Sequence, residues 1–347
     1  MTRSRIFVGF FLLTELLFLP AAQAQVKLVP LPHIEDGTVR LRVAHAINPR
    51  MPKANKHEIQ AMLKAMQETV FKHFQVKVLL EDTVEVDVNR LLAKIPPPVI
   101  QISKRDIFDF KSGAGNQNKL VKGYLEALNS YNLKITDMIE YVQPYLINPV
   151  RVQSKKSIAQ ARVETHLGRL GNWKTISALD GQSIVDATIA NEWKAWDVLG
   201  YSQLPYDLVI TNQPIISAEY KDVGINTALR GGVTAGTTGH SKSARYNTYS
   251  MISTFPFIEY AKLPKGTSDI STRAQAIKLA GQYTAHEIGH MLLLLAHPYG
   301  NSACVMQPEP MFNFAAWAQR LDANKCKIGS SGAMTPGAAE VGYHPDW

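Results

Sequence analysis

Apolar Val39, Leu41 and Val43 alternate with Arg40, Arg42 and Ala44, the period of two expected of a half-buried strand. Asn55 followed three residues later by Glu58 marks a helix start. Ile59, Met62, Met66, Val70 and Phe74 then recur every three or four residues, which predicts an amphipathic helix over 56–73. Val76, Val78 and Leu80 alternate again, so the opening reads strand–helix–strand, an α/β layer. From 88 to 200 the pattern changes. Pro96–Pro98 and Gly113–Gly115 punctuate stretches at Lys119–Asn129, Ser157–Leu170 and Ser183–Leu199 that read as helical, with no repeat and no catalytic pattern. Strand signals return at Tyr206–Thr211 and Tyr246–Ile258. The segment between them, Gly231–Gly239, is too glycine-rich for a strand interior and lacks a phosphate-loop pattern, so a flexible hairpin or sheet edge is expected.

Composition narrows the classes. The chain has 347 residues, 46% hydrophobic and 19% charged, which excludes a disordered polymer and leaves room for a sizeable core. The net charge of +8 is spread without a long basic run, a surface bias rather than a nucleic-acid groove. Arg3 and Arg5, the apolar stretch Ile6–Pro20 and Ala22-Gln23-Ala24 read as a signal peptide over 1–24. An exported protein is therefore expected, periplasmic or secreted, with no membrane span after cleavage. Export makes a bridge between the only two cysteines, Cys304 and Cys326, chemically permissible.

The chemistry concentrates at His286-Glu287-Ile288-Gly289-His290. Thr272 and Gln275 fit a capping box, and Ile277, Ala280, Thr284, Ile288, Met291 and Leu295 form a stripe at helical spacing, so the motif lies within a long helix. Residues i and i+4 share one helix face, so both imidazoles can reach one zinc ion at about 2.0–2.1 Å. Glu287 is then the candidate general base for a metal-activated water. A third protein ligand is needed, and His297 is the leading candidate. On a continued helix it would lie about 10 Å along the axis from His290, so the chain must reverse between them. Pro298 favours that break, because a residue before proline avoids helical angles.

This pattern, with Cys304-Val305-Met306 downstream, resembles the metzincin clan of zinc metalloproteases, particularly its archaemetzincin and matrixin-like branches. The resemblance implies an α+β, zincin-like fold: a twisted mixed sheet with an active-site helix, here with a largely helical insertion at about 88–200. It implies one zinc ion on His286, His290 and His297, a peptide or protein substrate, Met306 as the methionine beneath the metal, and Phe312–Leu321 as a closing helix. It also implies that substrate adds to a sheet edge, for which part of 227–239 is the candidate. Two departures stand out. The segment from His290 to His297 is one residue longer than the family pattern and lacks its glycine, so a leucine would take left-handed angles, at about 1–2 kcal/mol. Nor are there extra cysteines for a second zinc site, so Cys304 and Cys326 are expected to pair with each other instead.

Rivals stay open. Glu309 has a spacing compatible with a glutamate third ligand, although Pro308 and Pro310 flank it. Met334 is a second candidate for the methionine, and Tyr299 and Tyr246 are candidates for stabilising an oxyanion. An exported binding or envelope protein, in which the helical region recognises a partner, is the rival from outside the enzyme class. The oligomeric state is not legible in the sequence.

Overall fold

The computed structural model describes residues 31, 34–49, 51–92, 117–130, 134–143, 146, 148–164, 205–213, 215–216, 233–240, 244–259, 268–298, 301–307, 313–329 and 334–337. The proposed signal peptide 1–24, the helical stretch Ser183–Leu199, and Tyr299 and Glu309 lie outside the described residues.

The first strand of the predicted opening is broken at Arg42 into β1 (Thr38–Leu41) and β2 (Val43–Ile47). The helix α1 (Lys56–Phe74) follows, and Asn55 and Glu58 cap it reciprocally as their spacing predicts. Next come β3 (Lys77–Leu80) and β4 (Val84–Asp87), which run parallel to β1 and β2. Leu41 faces Leu80 while Ala44 faces Val84, so four steps on one strand oppose three on the other. This is a bulge. At the break, the buried Asp207 carboxylate accepts from the Arg42 backbone N–H at 2.9 Å and from its guanidinium at 2.6 and 3.0 Å. The lost ladder bond is thereby replaced by a charge-assisted fork.

The described part of the 88–200 region is helical: α2 (Val88–Leu92), α3 (Gln117–Ser130), α4 (Ile135–Val142) and α5 (155–164). Leu128, Met138, Ile158, Ala159 and Val163 form a buried cluster of their own, apart from the main core. The chain then returns through β5 (Leu208–Thr211), a two-residue pair β6 (Ile215–Ile216) and β7 (Val233–Thr234), and β8 (Gly236–His240) with β9 (Thr248–Ser253). The stretch expected to be one strand to Ile258 stops at Ser253. Pro256 stands at the start of a short helix α6 (Phe255–Ile258), where its missing N–H costs nothing.

The main sheet has the order β4–β2–β5–β9–β8, parallel except for β8, which runs antiparallel to β9 at one edge. The architecture is therefore mixed α/β with a mixed sheet. Among the described residues no helix is long and apolar enough to cross a membrane.

The long helix α7 (Arg273–Leu293) starts at Thr272, whose side chain accepts from the Gln275 N–H at 3.2 Å. The expected capping box is only half made: Gln275 Oε1 accepts from the Ser271 N–H and hydroxyl rather than from Thr272. α7 runs parallel to α1. Arg273 bonds Glu58 at 2.6 and 3.0 Å, holding that carboxyl below its usual range. A Cβ on Gly281 would collide with the Met62 carbonyl and come within 2.8 Å of the Ala65 Cβ, so only glycine permits this approach. Phe74 reaches Gly289 further along. The last helix is α8 (Phe314–Arg320), whose first N–H groups, on Ala315 and Ala316, bond the Asp269 carboxylate at 3.0 and 2.7 Å.

Candidate metal centre

α7 ends where the third histidine requires it to end. Leu294 takes left-handed angles (φ 50, ψ 44), and its N–H turns back to His290 O at 3.1 Å. The Leu295 N–H reaches Gly289 O at 3.3 Å. Met291 O and Leu293 O, which the helix leaves without an internal donor, accept from the Thr248 hydroxyl at 2.6 Å and the Gly337 N–H at 2.9 Å. The buried leucines at 292, 294 and 295 lock this end into the core.

The reversal brings His286, His290 and His297 together. Their Nε2 atoms form a near-equilateral triangle with sides of 3.2, 3.1 and 3.2 Å. The Nδ1 atoms of the first two rings are committed elsewhere: His286 Nδ1 lies 2.8 Å from Val305 O, and His290 Nδ1 bonds Leu295 O. A carbonyl only accepts, so each Nδ1 carries the proton, and each neutral ring turns the Nε2 lone pair inward. Lone pairs that face each other at this distance repel unless a cation or proton lies between them. The three residues could therefore hold a metal ion.

Glu287, 3% exposed, is anchored from the sheet edge. The Thr238 hydroxyl on β8 donates to its Oε2 at 2.8 Å. A Cβ on Gly236 would fall 2.7 Å from Glu287 Cγ, so the glycine is what lets β8 pass over the carboxylate. Gly236 lies within the segment 227–239 expected to form a sheet edge, and the edge strand is β8.

Below the histidines, Met306 is fully buried and lies against Gly289, where a Cβ would collide with its sulfur. Cys304 and Cys326 are bonded, tying the 304–306 turn to the chain beyond α8. Met334 packs instead against this bridge, its sulfur 3.6 Å from Cys304 Sγ. Tyr283 stacks on His286 with centroids 5.2 Å apart and passes contact on to Phe314 and Trp317. The Tyr246 hydroxyl is committed to the backbone N–H and carbonyl of Arg40, at 2.9 and 3.0 Å, and so clamps the β8–β9 turn to β1.

The histidines and Glu287 were visible as a motif. Thr238, Ser250 and the Val305 carbonyl were not, because their roles come from pairings across 19 to 49 residues. The segment 231–239 read only as a flexible hairpin or sheet edge, which does not single out Thr238. No protein-family model, curated protein or solved structure matches this chain.

Proposed function

We propose that the chain is an exported zinc-dependent endopeptidase with a zincin-like, metzincin-type fold. His286, His290 and His297 hold the metal and Glu287 is the general base. The observation that carries this reading is the triangle of Nε2 atoms with two Nδ1–H groups pinned to carbonyls. Three nitrogens about 2.0–2.1 Å from one tetrahedral zinc ion stand about 3.3 Å apart, close to the 3.1–3.2 Å observed. With three protein ligands, a four-coordinate zinc would keep one position for water or substrate, as catalytic rather than structural zinc requires.

Zinc, when bound, supplies Lewis acidity: it lowers the pKa of a water it holds and polarises a carbonyl. Glu287 takes a proton onto its carboxylate as the peptide carbonyl is attacked, and returns it to the departing amine. The Val305 and Leu295 carbonyls keep two imidazoles in one tautomer and orientation throughout. Met306 forms an apolar floor against α7. By the resemblance, an extended peptide would add to a sheet edge, and β8 is the edge that runs beside Glu287. Export is supported by the N-terminal signal pattern and by the disulfide.

Metal analysis with peptide-cleavage assays tests the reading. The wild-type protein is expected to bind one zinc ion, His297→Ala to lose most of it, and Glu287→Gln to keep it while cleavage falls at least a hundredfold. Full zinc occupancy in His297→Ala would sink the ligand assignment. Undiminished cleavage by Glu287→Gln would sink the mechanism, and a protein that cleaves nothing while binding a partner through its helical region would be a binding protein.

A further inference from the structure

Thr238 and Ser250 face each other across β8 and β9, on the side of the sheet turned toward α7, and both are buried. Their hydroxyl oxygens are 2.8 Å apart. Thr238 Oγ1 also lies 2.8 Å from Glu287 Oε2 and 3.2 Å from Glu287 O, while Ser250 Oγ lies 3.2 Å from Glu287 O. Each hydroxyl has one proton to give, and an ionised carboxylate can only accept. The Thr238 proton belongs on Oε2, the shorter and charge-assisted contact. The Thr238 oxygen is then an acceptor for Ser250, at 2.8 Å rather than the 3.2 Å that separates Ser250 from a carbonyl already serving the helix. The protons thus run in one direction, from Ser250 to Thr238 to Glu287, and each bond polarises the next.

We propose that Thr238 is a positioning residue for the Glu287 carboxylate, with Ser250 directing its proton. The inference deepens the hydrolase reading and rests on it. A glutamate side chain has three rotatable bonds, and two features of a single strand bear directly on this one: a hydroxyl at 238 and no side chain at 236. Without the hydroxyl, a buried carboxylate loses a donor and turns toward another. A general base displaced by about 1 Å loses on the order of a hundredfold in rate, without any loss of substrate binding.

The test uses zinc-loaded full chain carrying Thr238→Val, Thr238→Ser or Ser250→Ala. Thr238→Val keeps the shape of the side chain and removes the hydroxyl. It is expected to lower kcat about 10- to 100-fold with KM and zinc content unchanged. Thr238→Ser is expected to restore most of the rate, and Ser250→Ala to lower kcat by a smaller factor. Crystal structures of the metal-free variants give a readout independent of turnover: the Glu287 carboxylate should leave its place in Thr238→Val and keep it in Thr238→Ser. An unmoved carboxylate or an unchanged kcat in Thr238→Val overturns the proposal, as does loss of zinc or of the fold in Thr238→Val and Thr238→Ser alike. Should the wild-type protein cleave no peptide, the hydrolase reading fails, and the crystallographic comparison alone decides whether Thr238 positions Glu287.

Discussion

His73 shows what burial does to a single residue. It lies on the inner side of α1, 6% exposed, and its Nδ1 has no hydrogen-bond partner. Burial first, and then Lys72, push its pKa down to about 4, with Asp322 pulling weakly the other way. The sign follows from linkage. Above the ordinary value of 6.5 the ring is neutral in both folded and unfolded chains, and pH does not matter. Between 6.5 and about 4 the unfolded chain takes up a proton that the folded one refuses, so stability falls as pH falls. At pH 4.5 the loss is about 2–3 kcal/mol for this one group. Replacing His73 with Leu keeps an apolar filling and removes the titration. Chemical denaturation of metal-free wild type and His73→Leu is expected to show the variant gaining about 2–3 kcal/mol on wild type between pH 7 and 4.5. A constant difference across that range would show that His73 is solvated.

At the scale of an element, the end of α7 is a contest between backbone strain and burial. Leu294 in left-handed angles costs about 1–2 kcal/mol, which glycine would avoid. Its side chain is 1% exposed, and stripping a buried leucine costs roughly 3–5 kcal/mol. Burial wins. Leu294→Gly is therefore expected to destabilise the protein by about 1–4 kcal/mol while leaving its metal binding as in wild type, because the turn that brings His297 round survives. A stabilised variant would mean that the strain outweighs the packing. The same contest explains what the sequence let one read. His297 ahead of Pro298 demanded a break. Which leucine turns was hidden, since no leucine is marked for left-handed angles. α1 was legible nearly to its ends, because a reciprocal cap and one apolar stripe define it locally. The helix at Phe255–Ile258 was missed, because its aromatic and branched residues read as strand, and the stop depends on Ser253 and Thr254 bonding Gln213 and Thr211 from another strand.

For the whole molecule, strand order was the least legible feature. Parallel β2, β5 and β9 come from positions more than 30 residues apart, and no local pattern records that they meet. The consequence is a division of labour in how the chain is held. The strands and α1 are secured by ladders and by a core running from Val39 to Met334. Residues 294–298 and 301–307 share that core through Leu295, Val305 and Met306 and carry further ties: left-handed Leu294, His290 to Leu295, His286 to Val305, and the bridge from Cys304. Two of these ties run through rings that would share the metal. If the three histidines share a metal, its removal would leave inward-facing Nε2 lone pairs that repel, and the cheapest relief would be for the turned-back residues to move away from α7. A ligand held a thousandfold above its Kd contributes about 4 kcal/mol, and here that contribution is expected to fall locally before it is felt globally. Hydrogen exchange after chelation should therefore speed up at Leu294, Leu295 and 304–307 while the amides of β2, β5 and β9 keep their protection. Uniform acceleration across the sheet would mean that the metal is part of the global fold, and no change anywhere would mean that the histidines hold none. The local outcome is favoured because Leu295 and Val305, the partners of the two Nδ1 atoms, both lie where the chain has turned back, whereas His286 and His290 stay fixed on α7.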